Sequence, residues 1–388
     1  MDKRVRLIWG LMFLLSGCLP APGAPAPLST IVPPPTETRL PTPTVTATPG
    51  PTITGQGRLI YLLGSKVYGG GFSGKNAREI AALGEDQVIS PRLRGNRMAY
   101  LLGLELRLLD LRRGSATTLF TLPEGAILDT FDLCWSVGGE AIAYTVAYED
   151  PEALTFGRSV EVGVVDLPTG EHRLVARLKD SFLATLLGYN DASGELFLIP
   201  RGAEPNFEEI AVYDGWRRDR VIESIPIEGD AMPDQSVLSP DLSRLALASL
   251  DSEAGTGQIL VYDATVAQPT AQLLELPPGT HARYFIWSPD GQRLAYFLLS
   301  GVAYGDEVTE ARGLWVWDSS DEGTMQVAEE DSPFSGPVAW SLAGDAILAF
   351  HYEEGEGYYY LASRDGSVVM RLDITSETRA LGWAPEGG

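Results

Sequence analysis

From about residue 57 to the end, the chain repeats one pattern of apolar and polar positions. A short apolar run ends in Trp-Ser or its like, a polar turn follows, and a second apolar run ends in an aromatic residue. The fullest copy is Trp287-Ser-Pro-Asp-Gly-Gln-Arg-Leu-Ala-Tyr296, and close copies end at Tyr144 and Phe350. Weaker copies end at Tyr100 and Leu247, and a degraded one at Leu198. The spacing between successive copies runs from 44 to 54 residues. Each unit adds a third alternating run closing on an aspartate (Asp110, Asp166, Asp214, Asp263, Asp318), then a fourth short run such as Thr118–Leu122. Runs this short, with turn residues every 8–12 positions, predict antiparallel strands and no long helix. Pro-Asp-Gly sets the turn: Pro fixes φ, Asp bonds to its own backbone, and Gly accepts positive φ.

Four strands per repeat is the unit of a β-propeller blade. The Trp-Ser-Pro-Asp-Gly-x-x-Leu-Ala signature around Trp287 resembles the TolB-type, WD40-like propeller repeat, and the resemblance covers about residues 57–388. It implies an all-β fold, a seven-bladed propeller of four-stranded antiparallel blades. The two ends of this region support that expectation. Arg58–Tyr61 reads as a second strand lacking a first, and Leu381–Gly388 as a first strand and turn lacking a second. Pairing them would rebuild one complete unit and remove the free sheet edges. TolB itself also carries an N-terminal α/β domain; a spacer stands here instead, so its role is not carried over.

The first 17 residues read as an export signal. Lys3, Arg4 and Arg6 precede an apolar run, Leu7–Leu15, of nine residues. A bilayer span needs about 20. Leu15-Ser16-Gly17-Cys18 closely resembles the lipobox of bacterial lipoproteins, which implies diacylation and a new amino terminus at Cys18. Each buried CH₂ of such a chain contributes roughly 0.8 kcal/mol to anchoring. Residues 18–56 hold eleven prolines and nine threonines, with only scattered apolar residues and no aromatic ones to build a core. That composition predicts an unfolded tether, reaching up to roughly 100 Å at about 3.1 Å per residue. The expected location is therefore the extracytoplasmic cell envelope, held to a membrane by lipid.

Composition narrows the function. The 388 residues are 44% hydrophobic with a formal charge of −23, and loss of residues 1–17 would leave −25. That acid excess argues against nucleic acid and anionic surfaces as partners. Two cysteines exclude a disulfide scaffold and a disulfide-linked partner. Cys134, beside Trp135 in an expected first strand, reads as a buried, inert thiol. The three histidines, His172, His281 and His351, stand in no metal-ligand spacing, and there is no Gly-x-Ser-x-Gly elbow. A catalytic domain of the kind that some hydrolases pair with a similar propeller is not expected within these 388 residues. The recurrent tryptophans (Trp135, Trp287, Trp340, Trp383) read as packing between blades, and Asp241 and Asp290 as turn formers.

The units differ most in the loops between second and third strands and between blades, which emerge on one face of a propeller. Acids gather there: Glu149, Asp150 and Glu152; Glu204; Asp251 and Glu253; Asp306 and Glu307; Glu353 and Glu354. Aromatic residues are interleaved at Phe156, Phe207, Tyr304 and Phe334. Such a face would attract a protein or peptide with a basic surface. The expected function is a non-enzymatic binding module on an anchored propeller, with no cofactor, though the acids would suit a divalent cation such as calcium. The alternative is a propeller enzyme, a metal-dependent hydrolase or lyase using acidic loop residues.

Overall fold

A computed structural model describes residues 53–202, 209–214, 221–226, 230–251, 256–265, 271–300, 310–329, 335–353, 356–374 and 377–386. The signal, Cys18 and nearly all of the tether lie outside them. Every described strand falls in one of seven four-stranded antiparallel sheets. Blade 1 orders Thr378–Ala384, Arg58–Leu63, Lys66–Gly70 and Arg78–Ala82. Blades 2 and 3 begin with Val88–Arg94 and Ala126–Trp135, blades 4 and 5 with Ser181–Tyr189 and Asp230–Leu238, and blades 6 and 7 with Thr280–Trp287 and Gly336–Trp340. In blade 1 the first strand comes from the C-terminal end, with Leu59 opposite Trp383 and Leu63 opposite Thr378. Each first strand touches the first strands of both neighbouring blades, and that of blade 1 touches those of blades 7 and 2. The fold is a β-propeller.

The core lies between blades. Among the described residues there are seven apolar clusters, each shared by two adjacent sheets; one joins Leu348, Tyr359 and Leu361 of blade 7 to Leu59, Ala380 and Trp383 of blade 1. Second strands are covered on both faces, so they read as continuous apolar runs: six consecutive residues of Arg293–Ser300 are buried. Outer strands are wet, as at Ser115–Thr121. The repeat signature follows from this packing. Indole Nε1 of Trp135, Trp287 and Trp340 donates to Arg92 O, Val237 O and Ile286 O, each on the first strand of the preceding blade. Trp383 departs from this: its Nε1 donates to Phe72 O at 3.0 Å and its ring stacks on Phe72.

The turn chemistry is equally regular. Ser288 Oγ donates to Asp290 Oδ1 at 2.5 Å and accepts from Arg293 N, which closes the turn from inside. Ser239 with Asp241 and Ser341 with Asp345 do the same. Three residues after the serine the backbone needs positive φ, which Gly291 and Gly344 supply at 66° and 68°. The third-strand aspartates also end their strands by capping: Asp166, Asp263 and Asp318 each accept a backbone N–H from the residue two or three positions on, and Asp110 accepts from both Arg112 and Arg113.

Candidate functional site

One end of the blades gathers the starts of first and third strands and the ends of second and fourth strands. Among the described residues, three cavities open there. The largest, about 1140 Å³, lies between blades 6 and 7. A second, about 600 Å³, is built on blade 3 and the chain leading into it. The third, about 560 Å³, sits where blades 2 and 3 meet Arg379 of blade 1.

Of the acids singled out in the sequence, Glu149, Asp150 and Glu152 come together at the second cavity, with Glu124 and Glu161. They are less bare than the sequence suggests. Glu149 lies 3.6 Å from Arg158, Glu161 pairs with Arg177, and Lys179 also lines the cavity. Asp150 Oδ1 accepts from Glu152 N, so this acid shapes its own loop. Asp251 and Glu353 end second strands of blades 5 and 7, which puts their backbone at the same end. Glu204, Glu253, Asp306, Glu307 and Glu354 lie outside the described residues, as do Phe207, Tyr304 and Phe334. Phe156 is exposed and meets Phe182 edge-on at 5.0 Å. Among the described residues, no group of three or more His, Cys, Asp or Glu is placed to hold a metal ion. The loops are uneven as well: blades 1 and 2 join their second and third strands by tight turns at Gly64 and Gly103, both with positive φ.

The first strands hold polar side chains that spacing along the chain did not single out. Arg92 of blade 2 meets Asp132 of blade 3 at 2.9 Å. Burial raises the Asp132 carboxyl, and Arg92 opposes that rise. Arg379 is lowered by surrounding protein and by its neighbour Arg92. Cys134 is partly exposed, yet it lies deep among protein atoms, and burial pushes its thiol up to about 12; the thiolate is suppressed. A thiol held in that state is a poor nucleophile.

The largest cavity has a different lining from the acid-rich loops. Trp315 and Arg312 come from the third strand of blade 6 and Gln326 from its fourth. His351, Tyr358 and Arg371 come from the second, third and fourth strands of blade 7. The Arg371 guanidinium lies 4.1 Å from the Tyr358 ring centre, and the His351 ring is 4.7 Å from the same ring. Ser335 Oγ and His351 Nδ1 share a 3.1 Å hydrogen bond. Sequence reading missed this cavity because its walls come from two blades and no segment holds more than a few of its residues. The other two histidines serve packing. His172 bonds Tyr144 and stacks on Phe120 at 3.7 Å, and His281 is buried.

No family model matches the sequence, and no curated protein matches it. Solved structures do. An oligogalacturonate lyase from Vibrio parahaemolyticus aligns over 77% of this chain and 83% of its own, at 12% identity and a TM-score of 0.58. An oligogalacturonate lyase in complex with manganese covers 77% and 82% at 12% identity and a TM-score of 0.57. TolB from Acinetobacter baumannii covers 85% and 67% at 16% identity, with a TM-score of 0.47. At such identities the two lyases share the propeller fold with this chain, and the likeness extends no further than the fold.

Proposed function

We propose that this protein is a ligand-binding propeller of the cell envelope, lipid-anchored at Cys18, that engages its partner with the cavity-bearing end of the blades. In this reading the seven sheets form one ring, sealed by Thr378–Ala384 beside Arg58–Leu63. The cycle of first-strand contacts and of shared apolar clusters supports that closure. The observation that carries the binding reading is that three cavities among the described residues open at the same end, where the blades differ most from one another. The anchor rests on the basic, apolar and Leu-Ser-Gly-Cys sequence of residues 3–18.

The test places a photo-crosslinking residue at Gly103, Glu124 or Glu329 on the cavity end, and at Gly95, Asp321 or Asp365 on the other. Adducts in intact cells are expected from the first set; adducts mainly from the second set would sink the reading. Mass spectrometry of the membrane fraction is expected to show a diacylated Cys18 peptide, absent from Cys18→Ser. The alternative of a metal-dependent lyase draws on the manganese-bound neighbour. It requires stoichiometric metal in the purified protein and a melting temperature that falls on chelation.

A further inference from the structure

We infer that the cavity between blades 6 and 7 binds an uncharged oligosaccharide, with Trp315 as the stacking platform and Gln326 and Arg371 as hydroxyl ligands. The inference rests on the binding reading above, because it names the ligand of the same end of the propeller. A pyranose ring offers one face of C–H groups and a rim of hydroxyls, each both donor and acceptor. A site for it needs a flat aromatic surface beside planar polar side chains whose paired groups can reach neighbouring hydroxyls.

The cavity supplies both. Trp315 is half-exposed, and its indole Nε1 already donates to Arg312 O at 3.2 Å, which leaves its ring as the part offered to a ligand. Gln326 Nε2 donates to the same carbonyl at 2.9 Å, so the exposed amide is held in one orientation with its oxygen available. Arg371 lies over Tyr358, exposed, and among the described residues no carboxylate pairs with it. Its guanidinium is thus a fixed fork of donors.

Charge selects the class. Arg312 and Arg371 on the wall would repel a basic peptide. Glu329 also lines the cavity, in a protein of formal charge −23, which would repel a polyanion. A neutral, hydroxyl-rich ligand meets neither objection. The volume, about 1140 Å³, is somewhat above that of a usual small-ligand pocket and suits several sugar rings.

The experiment is calorimetric titration of the full mature chain in detergent with maltohexaose, cellohexaose and hexa-N-acetylchitohexaose, with trigalacturonate and a lysine-rich peptide as charged probes. At least one neutral hexasaccharide is expected to bind saturably, and Trp315→Ala to weaken it at least tenfold. Trp315 also touches the core between blades 5 and 6, so the exposed changes Gln326→Ala and Arg371→Ala provide the same test in variants expected to melt like the parent. No saturation by any neutral probe, tighter binding of a charged probe, or binding unchanged in all three variants overturns the inference. If it fails while cross-links still form at the cavity end, only the ligand class is lost; cross-links confined to the other end remove the binding reading with it.

Discussion

Asp191 Oδ2 accepts a 2.8 Å hydrogen bond from Ser136 Oγ, across a sequence separation of 55 residues and from one blade to the next. The copy of the turn in blade 3 reads Ser136-Val-Gly-Gly and lacks the aspartate that the copies in blades 5 and 6 carry two residues after the serine. Asp191, from the degraded copy in blade 4, replaces it in space. Its other oxygen accepts from Gly138 N at 2.9 Å, and Ser136 Oγ still accepts from Ala141 N as in the intact turns. These bonds hold its pKa below the usual aspartate value, against the opposing effect of burial, the largest single influence.

This transfer predicts a non-additive pair. Asp191→Ala leaves Ser136 and Gly138 without their acceptor and should destabilise by about 1–3 kcal/mol. Gly138→Asp alone should also destabilise, because a Cβ there would stand 2.5 Å from Asp191 Oδ2. The double change restores the Ser-x-Asp turn within one blade, as at Ser288 and Asp290, and should recover most of the loss. Urea unfolding of the four proteins checks this; simple addition of the two single effects would contradict the transfer.

Leu242 occupies the position that Gly291 and Gly344 fill in their turns, with φ of 61°. It tolerates that conformation because its side chain is buried with Phe197 and Leu238, against Gly188. Removing the side chain should destabilise by about 2–5 kcal/mol. Leu242→Gly loses the same burial but relieves a backbone strain of order 1 kcal/mol, so it should be the more stable of the pair with Leu242→Ala. Thermal melts of both variants decide it: an alanine variant melting above the glycine variant would refute the account.

Trp287→Phe keeps a ring in the interface between blades 5 and 6 but abandons Val237 O, to which Nε1 donates at 3.2 Å. A loss of about 1–2 kcal/mol is expected, against about 3–5 kcal/mol for Trp287→Ala. Chemical denaturation separates the two.

Features that recur from blade to blade were legible in the sequence. The tryptophans, the serine–aspartate turns and the strand-ending aspartates recur because each blade must bury its face on the next and close its turns in the same way. The pairing of Arg58–Leu63 with Thr378–Ala384 was legible for the same reason, since each end held the missing half of one unit. What could not be read were relations between units. Asp191 looks like decay of the motif until the blades are side by side. Arg158 beside Glu149 and Arg177 beside Glu161 temper a run of acids that looked bare. The blade 6–7 cavity is assembled from Arg312, Trp315, Tyr358 and Arg371, residues of two blades that no spacing rule links.

His281 makes a last, pH-dependent prediction. It is 1% exposed, its Nε2 has no hydrogen-bond partner among the described residues, and the backbone of blade 5 presses on it: a Cβ at Gly257 would stand 2.5 Å from Thr280 O and 2.7 Å from His281 Cα. Burial, reinforced by the nearby Arg283, pushes its pKa down to about 4. The folded value lies below the unfolded one, near 6.5, so both states are neutral above that pH and stability is full there. As pH falls from 6.5 through about 4, the unfolded chain takes up the proton first, and stability declines by on the order of 3 kcal/mol. His172, lowered mainly by burial, acts in the same direction, whereas the turn aspartates held below their usual value act only at more acid pH. Between pH 6.5 and 5 the melting temperature should therefore fall, and His281→Leu should remove most of that slope. An unchanged slope in the variant would show that this imidazole is accommodated charged within the fold.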